Sequence, residues 1–563
     1  MPRYLITSAL PYINGVKHLG NLIGSMLPAD VLARHLRQQG EEVLYICGTD
    51  EHGTPAEIAA FAEGKSPKEY CDEQYAIQDD IYKQLRISFD YFGRSSSPTN
   101  HQVTQDIFRR LDENGFIEER TVSQIYSIDD QRFLPDRYVV GTCPICGFKD
   151  ARGDQCDSCG SLIDPTQLIE PRSAISGSTN LEVRDSRHLF LRLSALQDRV
   201  RAWVDQHQGW PATTKGIAYK WLDEGLQDRS ITRDLAWGIP VPKPGFEGKV
   251  FYVWFDAPIA YVSMTVDRAK TSGDPEAWRA WWKEPGEVRY LQFMGKDNVP
   301  FHAVMWPATM LGTGDVWVMA DQIKSFSWLT YEGGKFSTSR GRGIFTDTAL
   351  TLFPSDYWRY ALLAMVPEGT DSDFSLEGFA GLVNKDMADV LGNFVNRVLT
   401  MVARNFEGRV PEPGRVEDLD RELIAKCREL VVQLDQELRA TNMRKAMRNL
   451  RALWVAGNEY ITLAQPWVAV KNDRERAAEI LRIGLELCYL YAVTSAAIIP
   501  DSSERIFELL GETGKPGAVS FEGLADFARL PAGRAVSAGQ PLFQKIAPET
   551  VAELTERFRG SSH

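Results

Sequence analysis

Two groups of residues could do chemistry by type and spacing. The first is Cys143-x-x-Cys146 followed by Cys156-x-x-Cys159, with nine residues between the pairs and Gly147 and Gly160 after each. Four thiolates in paired turns suit one tetrahedral Zn2+, with two sulfurs from each turn. Four protein ligands leave no open coordination position, so such a site is structural and not catalytic. The regular spacing speaks against the competing reading of two buried pairs or disulfides. Cys47, Cys71, Cys427 and Cys488 read as small core residues. The second group is phosphate-like. His18-Leu19-Gly20-Asn21 opens a helix directly after the first apolar run. A helix N-terminus offers unpaired N–H groups and the positive end of a dipole to an anion. Gly20 lets a nucleotide approach the backbone, and His18 and Asn21 add hydrogen bonds. Taken alone the tetrapeptide is a weak signal, for which a capping histidine with no ligand is the default reading. Far along the chain, Lys335-Phe336-Ser337-Thr338-Ser339-Arg340-Gly341 is a basic, hydroxyl-rich loop after Gly333-Gly334. It suits phosphate, and also any mobile surface loop.

The elements that must hold these groups are legible in part. Tyr4-Leu5-Ile6-Thr7 reads as a strand, His18 onward as a mostly buried helix, and Glu42 to Thr49 as a second strand. Strand, helix, strand is a βαβ unit, hence a parallel sheet with ligands at its carboxyl rim. That rim holds Ala9 to Asn21 and Gly48 to His52. Apolar runs at Val250–Phe255 and Arg289–Met294 read as the sheet's second half, with the cysteine cluster in an insertion between the halves. Beyond about Asn384 the 3–4 spacing of apolar residues predicts helices, one of them capped by Asp473. The fold class is therefore α/β followed by an all-α bundle. The 563 residues carry 63 Lys+Arg against 76 Asp+Glu, a net charge of −13. That balance argues against a protein that coats nucleic acid unspecifically, but not against a local basic face. The N-terminus shows no targeting pattern. The apolar stretch Ile483–Ile499 contains Glu486 and falls short of the ~20 residues a membrane span needs. A cytoplasmic protein with reduced thiols and no membrane contact is expected.

The two phosphate-like signatures, in this order around a split sheet, resemble those of class I aminoacyl-tRNA synthetases. Within that class the chain is similar to the methionyl-tRNA synthetase family. The residues that carry the likeness are Ala9-Leu10-Pro11-Tyr12-x-Asn14-Gly15-x-x-His18-Leu19-Gly20 and Gly48-Thr49-Asp50-Glu51-His52-Gly53-Thr54. Further on come Arg233-Asp234-Leu235-x-Trp237, Tyr252-Val253-Trp254-Phe255-Asp256-Ala257-Pro258-Ile259-x-Tyr261, Gly295-Lys296-Asp297-x-x-x-Phe301-His302, Trp306-Pro307 and Gln465-Pro466-Trp467. The likeness spans Tyr4 to about Lys471.

What the resemblance implies is ATP-dependent ligation of methionine to its tRNA through methionyl-adenylate, for initiator and elongator tRNA alike. His18, Asn21, Lys335 and Asp50 would be the catalytic set. ATP would meet His18, Gly20, Asn21, Gly295, Asp297, Lys335, Ser337 and Thr338, accompanied by Mg2+. Methionine would meet Ala9, Leu10, Tyr12, Asp50, Trp254, Tyr261, His302 and Trp306, aromatic groups suited to a thioether. Asp50 is the candidate holder of the substrate ammonium. Trp467 and Arg404 would read the anticodon, and Arg439, Arg444, Lys445, Arg448 and Arg451 could meet phosphates or form a solvated face. The implied architecture is a split Rossmann-type catalytic domain (1–115 and 231–325) around a connective insertion with a four-cysteine zinc knuckle (116–230). A connecting fold with the Lys335 loop (326–385), a helical anticodon-binding domain (386–550) and a tail (551–563) follow. A monomer is expected. Two departures stand out. Thr338 occupies the place of a second loop lysine, for which Arg340 or Arg342 could compensate, and Thr400 stands where the family has asparagine. Leucine, isoleucine and valine enzymes carry a larger insertion, and a catalytically dead RNA-binding relative would have little use for the retained pocket.

Overall fold

The computed structural model describes residues 3–560 apart from 154, 155, 157, 160, 162, 338 and 339, so Gly160, Thr338 and Ser339 lie outside it. Five parallel strands form the central sheet, in the spatial order Gln322–Phe326, Val288–Gly295, Arg3–Ser8, Val43–Thr49 and Tyr91–Arg94. Apolar runs such as Leu5-Ile6 and Leu44-Tyr45-Ile46-Cys47 are buried on both faces, as a parallel sheet covered by helices requires. The chain leaves Arg3–Ser8 toward one edge and returns on its other side at Val288–Gly295, which pairs with it from Arg3–Val288 to Ser8–Phe293. The carboxyl ends of these two strands therefore flank a switch-point crevice, where doubly wound sheets bind ligands.

One expected strand is absent from this sheet. Of Val250–Phe255 only Val250–Phe251 is extended, paired antiparallel with Thr232–Arg233 outside the sheet, and Val253–Thr271 is a helix. A helix buried on most sides reads as an apolar run, which periodicity cannot tell from a buried strand at this length. The sheet's second half comes instead from Val288–Gly295 and Gln322–Phe326.

The insertion is built on a long antiparallel pair, Ile117–Ser127 with Leu181–Leu191, and on a small sheet that carries the cysteine turns. Glu57, fully buried on the helix Thr54–Ala62, clamps it to the catalytic rim. It accepts from Trp237 N at 3.0 Å and from Tyr138 Oη. Arg359, also fully buried, ties sheet to bundle. It donates to Asp30 Oδ2 at 2.7 Å, Ala497 O at 2.8 Å and Ile498 O at 2.8 Å, so its charge is paired and its N–H groups are used.

Three expected boundaries cut through elements. Position 325/326 falls inside the strand Gln322–Phe326, and 385/386 falls inside helix that runs on from Leu376 to Asn405. Position 550/551 falls inside the helix Pro548–Arg557, so the tail is not a loose end. Composition marks where burial changes, not where backbone bonding stops. The terminal segment returns to the catalytic side. Ile546 and Asn384 exchange two hydrogen bonds, and Gly343 N donates to Phe558 O at 3.0 Å. Among the described residues no helix is long and apolar enough to cross a membrane.

Candidate active site

The loop after the first strand crosses the carboxyl rim. Ala9 N donates to Phe293 O at 2.8 Å, Asp50 N to Pro11 O at 2.9 Å, and Ile13 N to Asp50 O at 2.9 Å. Tyr12 and Asp50 are thus fixed side by side by backbone pairing. His18 caps the helix that starts at Leu19, and Asn21 Oδ1 accepts from His18 N at 3.3 Å. A Cβ at Gly20 would lie 2.9 Å from His18 Nδ1, so a side chain there would displace the histidine.

The two signatures, some 300 residues apart, meet. Leu19 N donates to Ile344 O at 3.4 Å and Thr346 N to Lys17 O at 2.9 Å. The Phe336 ring stacks on His18 with centroids 4.4 Å apart and planes 6° apart, and Phe345 meets its edge. Burial, with Lys17 beside it, pushes the His18 imidazole down to about 4, so it is neutral at physiological pH, and its Nδ1 has no partner. Between the signatures lies a chamber of about 530 Å3, lined by Ala9, Leu10, His18, Gly20, Asn21, Gly295, Asp297 and Lys335. Ser337 is not among the lining residues, and its backbone is paired to Arg342 across the loop. Sequence reasoning missed Gly24, Ser25, Met26, Trp328, Phe336 and Asp371 on the same wall. The turn Leu22–Met26 carries wider π-type bonding, a local feature with no sequence signature. Arg342 is engaged within its own loop. Its guanidinium turns inward and donates to Tyr331 O and Glu332 O.

Asp50 is 4% exposed, and its Oδ1 has no hydrogen-bond partner. Burial, with Asp256 and Glu51 close by, pushes its carboxyl well above the usual range, partly opposed by Lys17. Asp256 itself is paired to His52 Nδ1 at 2.7 Å, a buried couple whose partners sequence reasoning quoted without a role. An under-satisfied buried carboxylate is a ready site for a cation.

The aromatic candidates divide. Tyr12 and Trp254 meet edge to face at 5.9 Å and line a second chamber of about 450 Å3 with Arg137, Arg152 and Arg233. Trp254 stacks on Phe301 at 3.6 Å. Tyr261, His302 and Trp306 are buried beneath and line neither chamber. His302 Nδ1 faces Asn298 O at 3.0 Å and its Nε2 faces Tyr261 Oη at 3.1 Å. Nδ1 therefore carries the proton, and the tyrosine donates to Nε2. Burial pushes His302 down to about 4, so this arrangement is neutral.

The four cysteine sulfurs lie within 4.8 Å of one another, with Cys143 and Cys159 4.0 Å apart and Cys146 and Cys156 3.7 Å apart. Tetrahedral Zn–S bonds of about 2.3 Å require sulfurs ~3.8 Å apart, so the set fits one such ion. In the bundle, Trp467 is 41% exposed beside Gln465, which adopts a positive φ of 47°. Arg397 sits 5.7 Å over its ring, and Arg404 is exposed two turns further along the helix Asn393–Asn405. Most of the expected basic face is spent internally. Arg439 pairs with Glu41 and Asp435, Arg444 binds Val366 O and Ser372, Lys445 pairs with Glu437, and Arg451 pairs with Asp386, leaving Arg448 exposed.

A switch-point crevice closed by a histidine-capped helix and a lysine loop defines the catalytic core of a class I tRNA synthetase. The family described as tRNA synthetases class I (M) matches residues 4–399, and the anticodon binding domain of methionyl tRNA ligase matches residues 410–563. Methionine--tRNA ligase 1 of Acaryochloris marina (strain MBIC 11017) is 55% identical over 560 residues, 99% of this chain and 100% of that protein. The methionine--tRNA ligase of Caulobacter vibrioides (strain NA1000 / CB15N) is 54% identical over 569 residues, with 100% of both chains covered. Among solved structures, Mycobacterium tuberculosis methionyl-tRNA synthetase in complex with methionyl-adenylate superposes with a TM-score of 0.79 at 29% identity. It covers 96% of this chain and 100% of that one. The chain belongs to the methionyl-tRNA synthetase family.

Proposed function

We propose that the chain joins methionine to its tRNA in two steps. The methionine carboxylate attacks the α-phosphate of ATP in line, giving methionyl-adenylate and pyrophosphate. A hydroxyl of the tRNA's terminal ribose then takes the methionyl group and releases AMP. The observation that carries this reading is Asp50. A buried carboxylate with a free oxygen lies on the rim that also frames a phosphate-suited chamber. Asp50 holds the substrate ammonium, and Leu10, Tyr12 and Trp254 enclose the thioether, backed by Ala9, Tyr261, His302 and Trp306. Such a reaction asks protein for positioning and charge stabilisation more than for covalent chemistry.

His18, being neutral, donates a hydrogen bond to phosphate without carrying a proton through the reaction. Asn21, Gly20, Gly295, Asp297 and Ser337 shape the nucleotide site, and Lys335 stabilises charge on the transferring phosphate. Mg2+ bound to the ATP phosphates would supply charge screening there. Cys143, Cys146, Cys156 and Cys159 would hold one structural Zn2+. The arginine-bearing second chamber adjoins Trp254, a fitting path for the tRNA's 3′ end. Trp467 and Arg404 read the anticodon of initiator and elongator tRNA. One chain carries both the chamber and the anticodon helix, which suits a monomer, and reduced cysteines suit the cytoplasm. Methionine-dependent exchange of labelled pyrophosphate into ATP tests the first step. No exchange from folded, zinc-loaded protein sinks the reading.

A further inference from the structure

ATP brings several negative charges into a chamber whose lining holds the cation Lys335 beside the carboxylates Asp297 and Asp371. His18 is neutral there, Arg342 is turned into the loop, and Lys17 Nζ donates to Asn14 Oδ1 at 3.0 Å. A further ammonium stands just behind the wall. Lys296 follows the strand Val288–Gly295 at the switch point, one residue from each of Gly295 and Asp297. Its Nζ lies 4.2 Å from the ring centre of Trp328 and donates to Asp371 Oδ1 at 2.8 Å. Trp328 lines the chamber at 46% exposure, and its backbone N donates to the same Asp371 oxygen at 2.8 Å. Lys335 Nζ lies 5.6 Å from the same indole ring. One indole thus gathers both lysines at one rim, a cation–π arrangement that leaves the ammonium donors available.

Resting on the reading above, we propose that Lys296 is a second phosphate ligand. In the free protein it is parked on Asp371. When ATP enters, the ammonium exchanges that carboxylate for the phosphate end of the nucleotide and acts together with Lys335. Trp328 is the positioning residue that keeps both chains at the rim. Exchanging one anion for another leaves the lysine in a charge-assisted bond throughout, so the move needs no unpaired buried charge.

The test compares Lys296→Met, Lys296→Arg and Asp371→Asn in methionine-dependent pyrophosphate exchange, with thermal melting of each variant. Expected is at least a tenfold rise in the KM for ATP in Lys296→Met, with the methionine KM little moved, and recovery of most of the loss in Lys296→Arg. Asp371→Asn keeps an acceptor for Trp328 N but frees the lysine, so its KM for ATP should equal or fall below that of the parent. If the pair is only a structural salt bridge, Lys296→Met and Asp371→Asn lose stability and ATP affinity alike, and the proposal is overturned. Should Lys296→Met fail to fold, Lys296→Gln takes its place. Binding of Mg-ATP by calorimetry gives the same comparison without methionine. Parent protein that binds ATP but shows no exchange would therefore count against the two-step reading and leave the lysine assignment measurable.

Discussion

Asp50→Asn should move two properties in opposite directions. The variant keeps the shape of the side chain and removes its charge. In the free protein the carboxyl is buried, with Asp256 and Glu51 close by, and titrates well above the usual range. Between the unfolded value near 4 and that raised value, the native state binds a proton that the unfolded state has lost. Stability therefore falls as pH rises through this window, and the destabilisation is fully developed above the folded pKa. Asparagine resembles the protonated form and escapes this loss, so the variant should melt higher than the parent at neutral pH. Each pKa unit corresponds to about 1.4 kcal/mol, so the gain in stability grows with how far the buried carboxyl is raised. With methionine present the sign reverses. A charge-assisted bond from the ammonium is worth roughly 1.5–3 kcal/mol, so the methionine KM in pyrophosphate exchange should rise about 10- to 150-fold. The ATP KM should hardly change. The assays are a melt without ligand and the exchange titration. A variant that melts lower than the parent, or that keeps the parental methionine KM, would refute the account of Asp50 as a carboxylate held waiting for a cation.

Trp467→Ala should leave exchange untouched and lower kcat/KM for tRNA aminoacylation. Base stacking of roughly 1–3 kcal/mol corresponds to a loss of about 5- to 150-fold. Arg397→Ala, which removes the cation over that ring, should give a smaller loss in the same assay. Chelation, or Cys156→Ser, should release the one zinc expected per chain, measured by metal analysis. It should loosen the insertion to proteolysis while the Arg3–Ser8 sheet stays protected, as a closed structural site requires. His18 and His302 are both pushed from 6.5 to about 4, chiefly by burial. Between those values the unfolded chain takes up protons that the native state refuses, so stability should fall as pH drops through that window. His302→Gln should remove ~1–3 kcal/mol of that pH dependence, read as a flatter plot of melting temperature against pH. Removing residues 558–563 takes away the carbonyl that accepts from Gly343 N and should raise the KM for ATP severalfold without affecting tRNA affinity.

What could be read ahead of the structure follows from how local each signal is. His18-Leu19-Gly20-Asn21 and the cysteine pairs are local strings whose chemistry depends on spacing, and both stand assembled as their spacing requires. Asp473 caps its helix, accepting from Arg476 N at 3.0 Å. Features fixed by distant partners were harder to see. Val250–Phe255 reads as a strand because the first turn of the helix Val253–Thr271 is buried by the sheet and the helix Pro98–Glu113 together, and neither is encoded within the segment. Trp328 and Asp371 look like an ordinary aromatic and an ordinary acid until the fold sets Lys296 between them. The basic helix face reads as a phosphate-contacting or a solvated face because the sequence does not show that Glu41, Glu437 and Asp386 arrive opposite it.

The same pairing explains how a chain of net charge −13 can bind a nucleotide and an RNA. Arg359 and Arg476 are buried on Asp30 and Asp420, and Arg439 and Arg451 bridge elements on the bundle. Cations used this way contribute to assembly and are not offered to phosphate. Of the cations expected to meet phosphate or the anticodon, Lys335, Arg448 and Arg404 remain exposed outside these pairs. Affinity for an arbitrary polyanion depends on how many phosphates meet cations at once, so this arrangement keeps unspecific RNA binding weak. On the function proposed above, recognition would fall to geometry: the exposed Trp467 in the bundle for a base, and the two lysines gathered on the Trp328 indole for the nucleotide.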